Sequence, residues 1–228
     1  MAKQPRAVRT RQDLIRSAAV VFERAGFADA SIAAISSGAG VSNGALHFHF
    51  RNKRALGEAV ELAAAQTLAH VTGRVPLRHP APLQLLVDTS QLLAEYLLHD
   101  PVLRAGFSLA SDATWQGRIN LWEEWQDWVQ LMLIVARERE MLTSDVVIEE
   151  AVLAITSIIA GFEVLSRIGT EWTSRSAVTG FWRLMLPQLA GPDTAAALSP
   201  EGTAPPPQET EPPLTSEEWD MAETCGAA

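Results

Sequence analysis

The sequence has little of what marks several large protein classes. It contains a single cysteine, Cys225, which excludes an internal disulfide and favours a reducing compartment. It has no run of about 18 uncharged apolar residues, and its N-terminus has no apolar signal-peptide stretch. We therefore expect a cytoplasmic protein that does not cross or contact a membrane.

The residue sets of common enzymes and metal sites are also lacking. No Ser/His/Asp set, paired carboxylates or phosphate-binding loop is apparent, and the adjacent Glu123 and Glu124 face different ways on a predicted helix. His47 and His49 are two residues apart, which places them about 200° apart on a helix and prevents chelation of one ion. The sequence predicts a protein that is not an enzyme, with no catalytic residue, metal or cofactor.

Charge is distributed unevenly along the chain. Residues 1–60 hold nine Lys/Arg and four Asp/Glu, whereas residues 61–228 hold nine and twenty-three, which together give the net charge of −9. A basic segment can neutralise DNA phosphates, and an acidic remainder repels DNA and favours one docking orientation. The distribution indicates DNA binding by the N-terminal segment, with a chance fluctuation as the alternative.

Two short helices joined by a tight turn are predicted over residues 31–48. Ser31 is a suitable N-cap for the first helix, Gly40 lies in the turn, and Ser42 is a suitable N-cap for the second helix. This is the layout of a helix-turn-helix, whose second helix enters the DNA major groove. An ordinary helical hairpin is the alternative, but it does not explain the small polar residues that begin the second helix.

The chain up to about residue 190 reads as helical. The other predicted helices cover residues 8–25, 52–73, 83–99, a segment capped by Asp100 with Pro101 first, 118–139, 146–168 capped by Asp145, and 172–189, with a proline-rich break over 74–82. We expect an all-α protein with a three-helix DNA-binding head, residues 1–56, on a larger helical body, residues 57–189. Residues 190–228 contain seven prolines, eight acidic residues and no Lys or Arg, which predicts a disordered tail.

Residues 8–60 resemble the TetR family of repressors without a gap. The matching positions include Thr10, Arg11, Ile15, Phe22, Gly26, Phe27, Ile35, the run Ala39 to Ser42, Gly44, Leu46, His49, Phe50, Lys53 and Leu56. Within that family, the segment GALHFHF, residues 100–110 and the Trp125 region are similar to the γ-butyrolactone autoregulator receptors and pseudo-receptors of Streptomyces-type actinomycetes. One position differs, because the family usually has Tyr where this chain has His47.

The start of the second helix of the pair is predicted to read bases. Asn43 is the best candidate, because its amide can bind an adenine through both of its polar groups or another base through one of them. Gly44 and Ala45 are small, which allows the helix to approach the groove closely, and Ala45 is suited to a thymine methyl group. We expect three larger side chains to be core residues: Leu46, Phe48 and Phe50.

Contacts with the DNA backbone are predicted around the same pair of helices. Ser31 and Ser42 stand at helix N-termini, which suits phosphate oxygens. The resemblance implies phosphate contacts by His47 and Lys53, and Arg11 is a further candidate for the DNA backbone.

Tryptophans are concentrated between residues 115 and 128, and three of them fall within about 120° of one helix. They are interpreted either as core residues or as the aromatic wall of a ligand pocket. The resemblance implies that Trp125 lines the pocket, and the full candidate set is Phe107, Trp122, Trp125 and Phe162. Related receptors carry Gln and Thr near the lactone, where this chain has Ala64 and Ala160. This difference favours a pseudo-receptor for another molecule.

Residues 151–168 and 181–189 are strongly apolar, and the resemblance implies that these helices form a two-fold homodimer interface. Two recognition helices about 34–36 Å apart fit a pseudo-palindromic double-stranded operator. The sequence therefore predicts a repressor of secondary-metabolite or antibiotic genes. A small γ-butyrolactone-like or antibiotic-like effector would move the fourth helix and release the repressor from its operator. The alternatives are a repressor of a drug-efflux gene, and a helical carrier or enzyme that has lost DNA binding.

Overall fold

The computed structural model describes residues 3–73 and 79–203, with side chains from Arg6 onward, and these ranges are almost entirely helical. The helices are α1 Lys3–Asp29, α2 Ile32–Gly38, α3 Asn43–His49, α4 Lys53–Thr72, α5 Pro82–His99, α6 Pro101–Ala110, α7 Leu121–Glu138, α8 Ile148–Ser166, α9 Arg175–Leu189 and α10 Pro192–Ala196. A 3₁₀ turn, Thr170–Thr173, separates α8 from α9. Within the described ranges, β pairing is limited to one isolated bridge between Leu142 and Ala190. The all-α prediction is confirmed.

Side-chain caps set most of the helix starts, as the sequence indicates. Ser31 accepts a hydrogen bond from the Ala34 N–H, and Ser42 accepts one from the Ala45 N–H. Asp100 caps α6 with Pro101 as the first helical residue. Each cap satisfies backbone donors that a helix N-terminus otherwise leaves without a partner.

Three predicted boundaries are wrong for local reasons. The helix expected from residue 118 begins at Leu121, because Asn120 supplies the cap and accepts hydrogen bonds from two N–H groups of the first turn. Asp145 does not cap the next helix, which begins at Ile148 after the extended Val147. The last long helix begins at Arg175, because Ser174 caps it after the 3₁₀ turn. The middle of the proline-rich break, residues 74–78, lies outside the described residues.

The buried side chains form two hydrophobic clusters. The head cluster includes Phe22, Ile35 and Leu46 from the first three helices. The body cluster is larger and includes Trp125 and Trp182. Helix α4 contributes its first half to the head cluster and its second half to the body cluster, so it belongs to both regions. A motion of α4 therefore repacks both cores.

Helices α4 and α6 cross at close range because small residues face each other. A Cβ atom added to Gly106 would lie 2.3 Å from the Cβ of Ala64. A Cβ atom added to Gly57 would lie 2.5 Å from the ring of Trp115. Neither position has room for a larger side chain, so a substitution at either glycine would push α4 away from its neighbours.

The prediction of a disordered tail is wrong for residues 190–203. This segment forms α10 and then lies along α5, where Gln84 exchanges two hydrogen bonds with the backbone of Ser199. Asp88 accepts hydrogen bonds from the backbone and the hydroxyl group of Thr203. These polar groups satisfy the backbone of a segment whose composition alone indicates disorder. The rest of the predicted tail, residues 204–228, lies outside the described residues.

No helix in the described ranges has the length and apolar character needed to cross a bilayer.

Candidate DNA-reading surface and effector cleft

The turn between α2 and α3 fixes the position of the candidate reading helix. Gly40 adopts a φ of 68°, a left-handed conformation that glycine accepts at little cost. The N–H of Val41 donates to the carbonyl of Ser36, which closes the end of α2. Ser42 then begins α3, so the turn directs the first residues of α3 away from the head core.

Most of the residues predicted to read DNA lie exposed on α3. Asn43, Gly44 and His47 are exposed, and Ala45 is half-buried. A Cβ atom added to Gly44 would meet only the Ser42 hydroxyl, at 3.8 Å, so the protein leaves open space there. Leu46 and Phe50 are buried in the head cluster, as predicted.

Phe48 is a correction to the sequence prediction. It was expected in the core, but 82% of it is exposed on α3, with its ring edge-on to that of His49. A short helix of seven residues has few positions that face the core, and Leu46 already fills the central one. An exposed aromatic ring beside Asn43 and His47 belongs to the candidate DNA surface, and its helical position alone could have indicated this.

The two cations predicted to contact the DNA backbone both lie against the protein. The Arg11 guanidinium lies 5.2 Å from the centre of the Phe50 ring. The Lys53 ammonium donates to the carbonyls of Ala28 and Ala30 at 2.7 and 3.1 Å, at the end of α1. Lys53 therefore closes α1 against α4, and its predicted phosphate contact stays a prediction.

The histidines of α3 differ in environment. Partial burial, followed by the charge of Arg11, lowers the pKa of His49, so its imidazole is neutral near pH 7. His47 is exposed, and its predicted phosphate contact stays a prediction. No group of three or more metal-ligating side chains occurs among the described residues.

Residues 111–120, which we call the joint loop, connect the head to the body. The Asp112 carboxylate accepts the N–H of Phe27 at 2.8 Å, next to Gly26, where α1 bends with a φ of 72°. Burial alone would raise the pKa of Asp112, but its hydrogen bonds with Thr114 and Phe27 outweigh burial and lower that pKa. The joint loop therefore holds the end of α1 through an ionised carboxylate.

Trp115 is the centre of the joint loop. Its ring is 8% exposed and lies 4.6 Å from the ring of Phe27, between centroids. Its indole N–H donates to the buried carboxylate of Glu61 on α4 at 2.9 Å. The Arg54 guanidinium lies over the same ring and donates to the carbonyl of Gln116. One tryptophan thus contacts α1 and α4 together.

A cleft of about 300 Å³ opens between α7 and α8, beside Ser111, the first residue of the joint loop. Its lining residues are uncharged: Ser111, Trp122, Gln126, Leu153, Thr156, Ser157, Ala160 and Val164. The indole N–H of Trp122 donates to the Ser111 hydroxyl at 3.0 Å. The Thr156 hydroxyl is buried and has no hydrogen-bond partner among the described residues. A ligand that accepts or donates there would satisfy it.

The predicted ligand residues are only partly brought together. Trp122 lines the cleft, and Phe107, fully buried, packs behind its ring at 4.3 Å between centroids. Trp125 does not line this cleft: it is fully buried and stacks on Trp128 at 5.3 Å. Phe162 packs half-buried against the body cluster. The hydroxyl and amide groups of the cleft were missed, because single polar residues on an apolar helix give no periodic signal.

Comparisons with known proteins agree with these observations. The sequence profile of bacterial regulatory proteins of the tetR family matches residues 14–60. Over 206 residues the chain is 32% identical to the A-factor receptor protein of Streptomyces griseus, covering 89% of this chain and 71% of that protein.

Solved structures show the same fold. A crystal structure of a γ-butyrolactone receptor, an ArpA-like protein, superposes with a TM-score of 0.73 at 24% identity, covering 84% of this chain and 94% of that chain. CprB from Streptomyces coelicolor, in complex with its operator sequence, gives a TM-score of 0.72 at 24% identity over the same shares. The chain belongs to the tetR family of bacterial regulatory proteins and is related to the A-factor receptor protein.

Proposed function

We propose that the protein is a homodimeric repressor of secondary-metabolite or antibiotic genes, which a small effector releases from a pseudo-palindromic operator. The observation that carries this proposal is the joint loop, because it links α1 and α4 of the head, which also carries the exposed reading helix, to an uncharged cleft. Similarity to the A-factor receptor protein supports the same role. As a regulator of bacterial transcription, the protein works in the cytoplasm.

The surface of α8 and α9 supports a homodimer. Ile158 in the middle of α8 is 38% exposed, Ile168 just after α8 is 80% exposed, and Leu184 on α9 is 77% exposed. A Cβ atom added to Gly161 would meet nothing within 4 Å, so this face of α8 is open. A second copy that covers these side chains removes apolar surface from water and sets two heads on successive major grooves.

The lining of the cleft favours an uncharged effector with a few oxygen atoms. Hydroxyl groups and one amide can bind carbonyl or hydroxyl groups, while Trp122, Leu153 and Val164 supply apolar contact. Ala160 also lines the cleft, so a hydrogen-bonding group is missing at that point. A γ-butyrolactone has this chemistry. A pathway product with the same groups is the other candidate of this class.

The joint loop gives the effector a direct route to the head. An effector that contacts Trp122 and Ser111 acts on the residue next to Asp112, whose carboxylate holds the end of α1. The same loop carries Trp115, which is bound to Glu61 on α4. A shift of the loop changes the position of α1 and α4 together, and an effector that favours the shifted state lowers operator affinity.

The first experiment is a gel shift with the DNA upstream of the protein's own gene, at two salt concentrations, with and without a γ-butyrolactone. Salt-sensitive binding that the lactone abolishes supports an autoregulator receptor. Binding that survives the lactone supports a pseudo-receptor and directs the search to pathway products. If no specific complex forms at either salt concentration, the repressor proposal is wrong.

Two further comparisons separate the alternatives. The genes beside the bound operator distinguish control of metabolite synthesis from control of a drug-efflux pump. Replacing Asn43 with Ala weakens operator binding by a repressor and relaxes its base preference, but leaves the ligand binding of a carrier or the activity of an enzyme unaffected.

A further inference from the structure

The amide of Asn43 is held by a residue on the other helix of the reading pair. Asn43 is the exposed first residue of α3. Its Oδ1 atom lies 2.5 Å from the hydroxyl oxygen of Ser36 on α2, which donates to it. Ser36 is 4% exposed, and the hydroxyl group also lies 3.1 Å from the carbonyl of Ala33. The acceptor side of the Asn43 amide therefore faces α2.

We propose that Ser36 is a positioning residue that makes Asn43 a hydrogen-bond donor toward DNA. An asparagine amide carries one acceptor oxygen and one donor NH₂ group. Because the buried hydroxyl of Ser36 holds the oxygen, the NH₂ group is the part left to face the groove. The inference deepens the proposed function and rests on it, since it assumes that α3 enters the major groove.

The proposal changes which base Asn43 selects. Bidentate recognition of adenine needs both the oxygen and the NH₂ group of the amide. A donor alone fits bases that offer acceptors, and guanine offers two adjacent ones, O6 and N7. Asn43 held by Ser36 therefore favours guanine over adenine and thymine, each of which offers it a single acceptor. The expected bidentate contact with adenine requires that the amide be released from α2.

Removing the Ser36 hydroxyl has little structural cost. The oxygen of Asn43 that loses its donor is on an exposed residue and can bind water. Alanine also has a higher helix propensity than serine, so α2 is not weakened. Ser36→Ala therefore separates the orientation of Asn43 from the stability of the head.

The test is selection of binding sites from a random double-stranded DNA library by the full-length protein. Five proteins are compared: the unaltered protein, Ser36→Ala, Asn43→Ala, the double variant, and Ser37→Ala. Ser37 is the exposed neighbour of Ser36, so its replacement matches the chemistry without touching Asn43. Thermal melting of each protein confirms that the heads are folded.

We expect the unaltered protein to enrich guanine at one position of each half-site, and Asn43→Ala to lose that preference. Ser36→Ala shifts the preference at that position toward adenine, with discrimination changed about fivefold or more. Ser37→Ala keeps the original preference, and the double variant behaves like Asn43→Ala.

Three results overturn the proposal. The first is an unchanged base preference in Ser36→Ala. The second is an equal change when Ser36 is replaced in the Asn43→Ala background, which would show a purely structural role. The third is an unchanged preference in Asn43→Ala. If two-fold symmetric sites are still enriched in that case, the repressor function stands and only the reading role of Asn43 fails.

Discussion

The head and the body of the protein use opposite arrangements of functional side chains. On the head, Asn43, His47 and Phe48 project into solvent from a short helix whose ends are set by caps and a turn. In the body, the cleft lies between long helices, and its hydroxyl groups are partly enclosed. DNA is read by an exposed rigid surface, whereas a small effector must be surrounded. The comparison shows why the joint loop is needed, because the two sites share no side chain.

The largest effect on the link between head and body is expected when Trp115, at the centre of the joint loop, is replaced. Trp115→Ala removes a buried ring that contacts α1 and α4, and we expect the free energy of unfolding to fall by about 3–5 kcal/mol. Chemical denaturation measures this loss. Trp172→Ala is the matched control, because Trp172 is 42% exposed. A loss below about 1 kcal/mol for Trp115→Ala would show that the loop does not hold the two regions together.

The reading surface of the head can be altered without changing its fold. Gly44→Ala adds a methyl group into open space on the protein side, so we expect an unchanged or slightly higher melting temperature. If α3 approaches the groove closely at this point, operator affinity falls by about tenfold, or 1.4 kcal/mol. Fluorescence anisotropy with operator DNA measures the affinity, and random DNA is the control. Equal affinity of both proteins for the operator would rule out a close approach at Gly44.

The response of the effector cleft in the body is tested by Trp122→Phe. This change keeps an aromatic ring but removes the N–H that donates to Ser111. We expect operator affinity without effector to be unchanged, and the effector concentration for half release to change by about 2- to 10-fold, the value of one hydrogen bond. Trp128→Phe is the control, because the Trp128 N–H has no partner among the described residues. If the effector concentration for half release is the same in both variants, the hydrogen bond between Trp122 and Ser111 does not couple the cleft to the joint loop.

The smallest effect concerns Glu163, a buried carboxyl of the body. Burial raises the pKa of Glu163, although its Arg167 partner opposes this, and the nearby Glu23 and Arg104 act in opposite directions. The folded protein therefore favours the neutral form of Glu163 more than the unfolded chain does. The stability that Glu163 contributes is present below the ordinary pKa of a glutamate and is lost as pH rises through the raised value.

Glu163→Gln removes this pH dependence because glutamine does not ionise. The melting temperature of the variant should slightly exceed that of the unaltered protein at neutral pH, and the difference should decrease as pH falls toward the ordinary glutamate pKa. Melting curves from pH 5 to pH 8 measure it. A difference that grows in acid would mean that the ion pair with Arg167 outweighs burial.

The sequence predicts the head better than the body for a physical reason. Helix starts at Ser31 and Ser42 depend on neighbouring residues, so they can be read from the chain. The cleft depends on which helices pack together, and the sequence did not show that Trp122 rather than Trp125 lines it. The hydrophobicity of Phe48 predicts a core residue, whereas its position on α3 leaves it exposed.

The segment after α9 has a practical consequence for protein engineering. The side chains of Gln84 and Gln91, each 8% exposed, find hydrogen-bond partners in the backbone of Ser199 and Pro200. A shortened chain that stops at Leu189, where the long helices end, would strip α5 of these partners. A version shortened for crystallisation or for a fused reporter therefore keeps the chain through Thr203, which contacts Asp88.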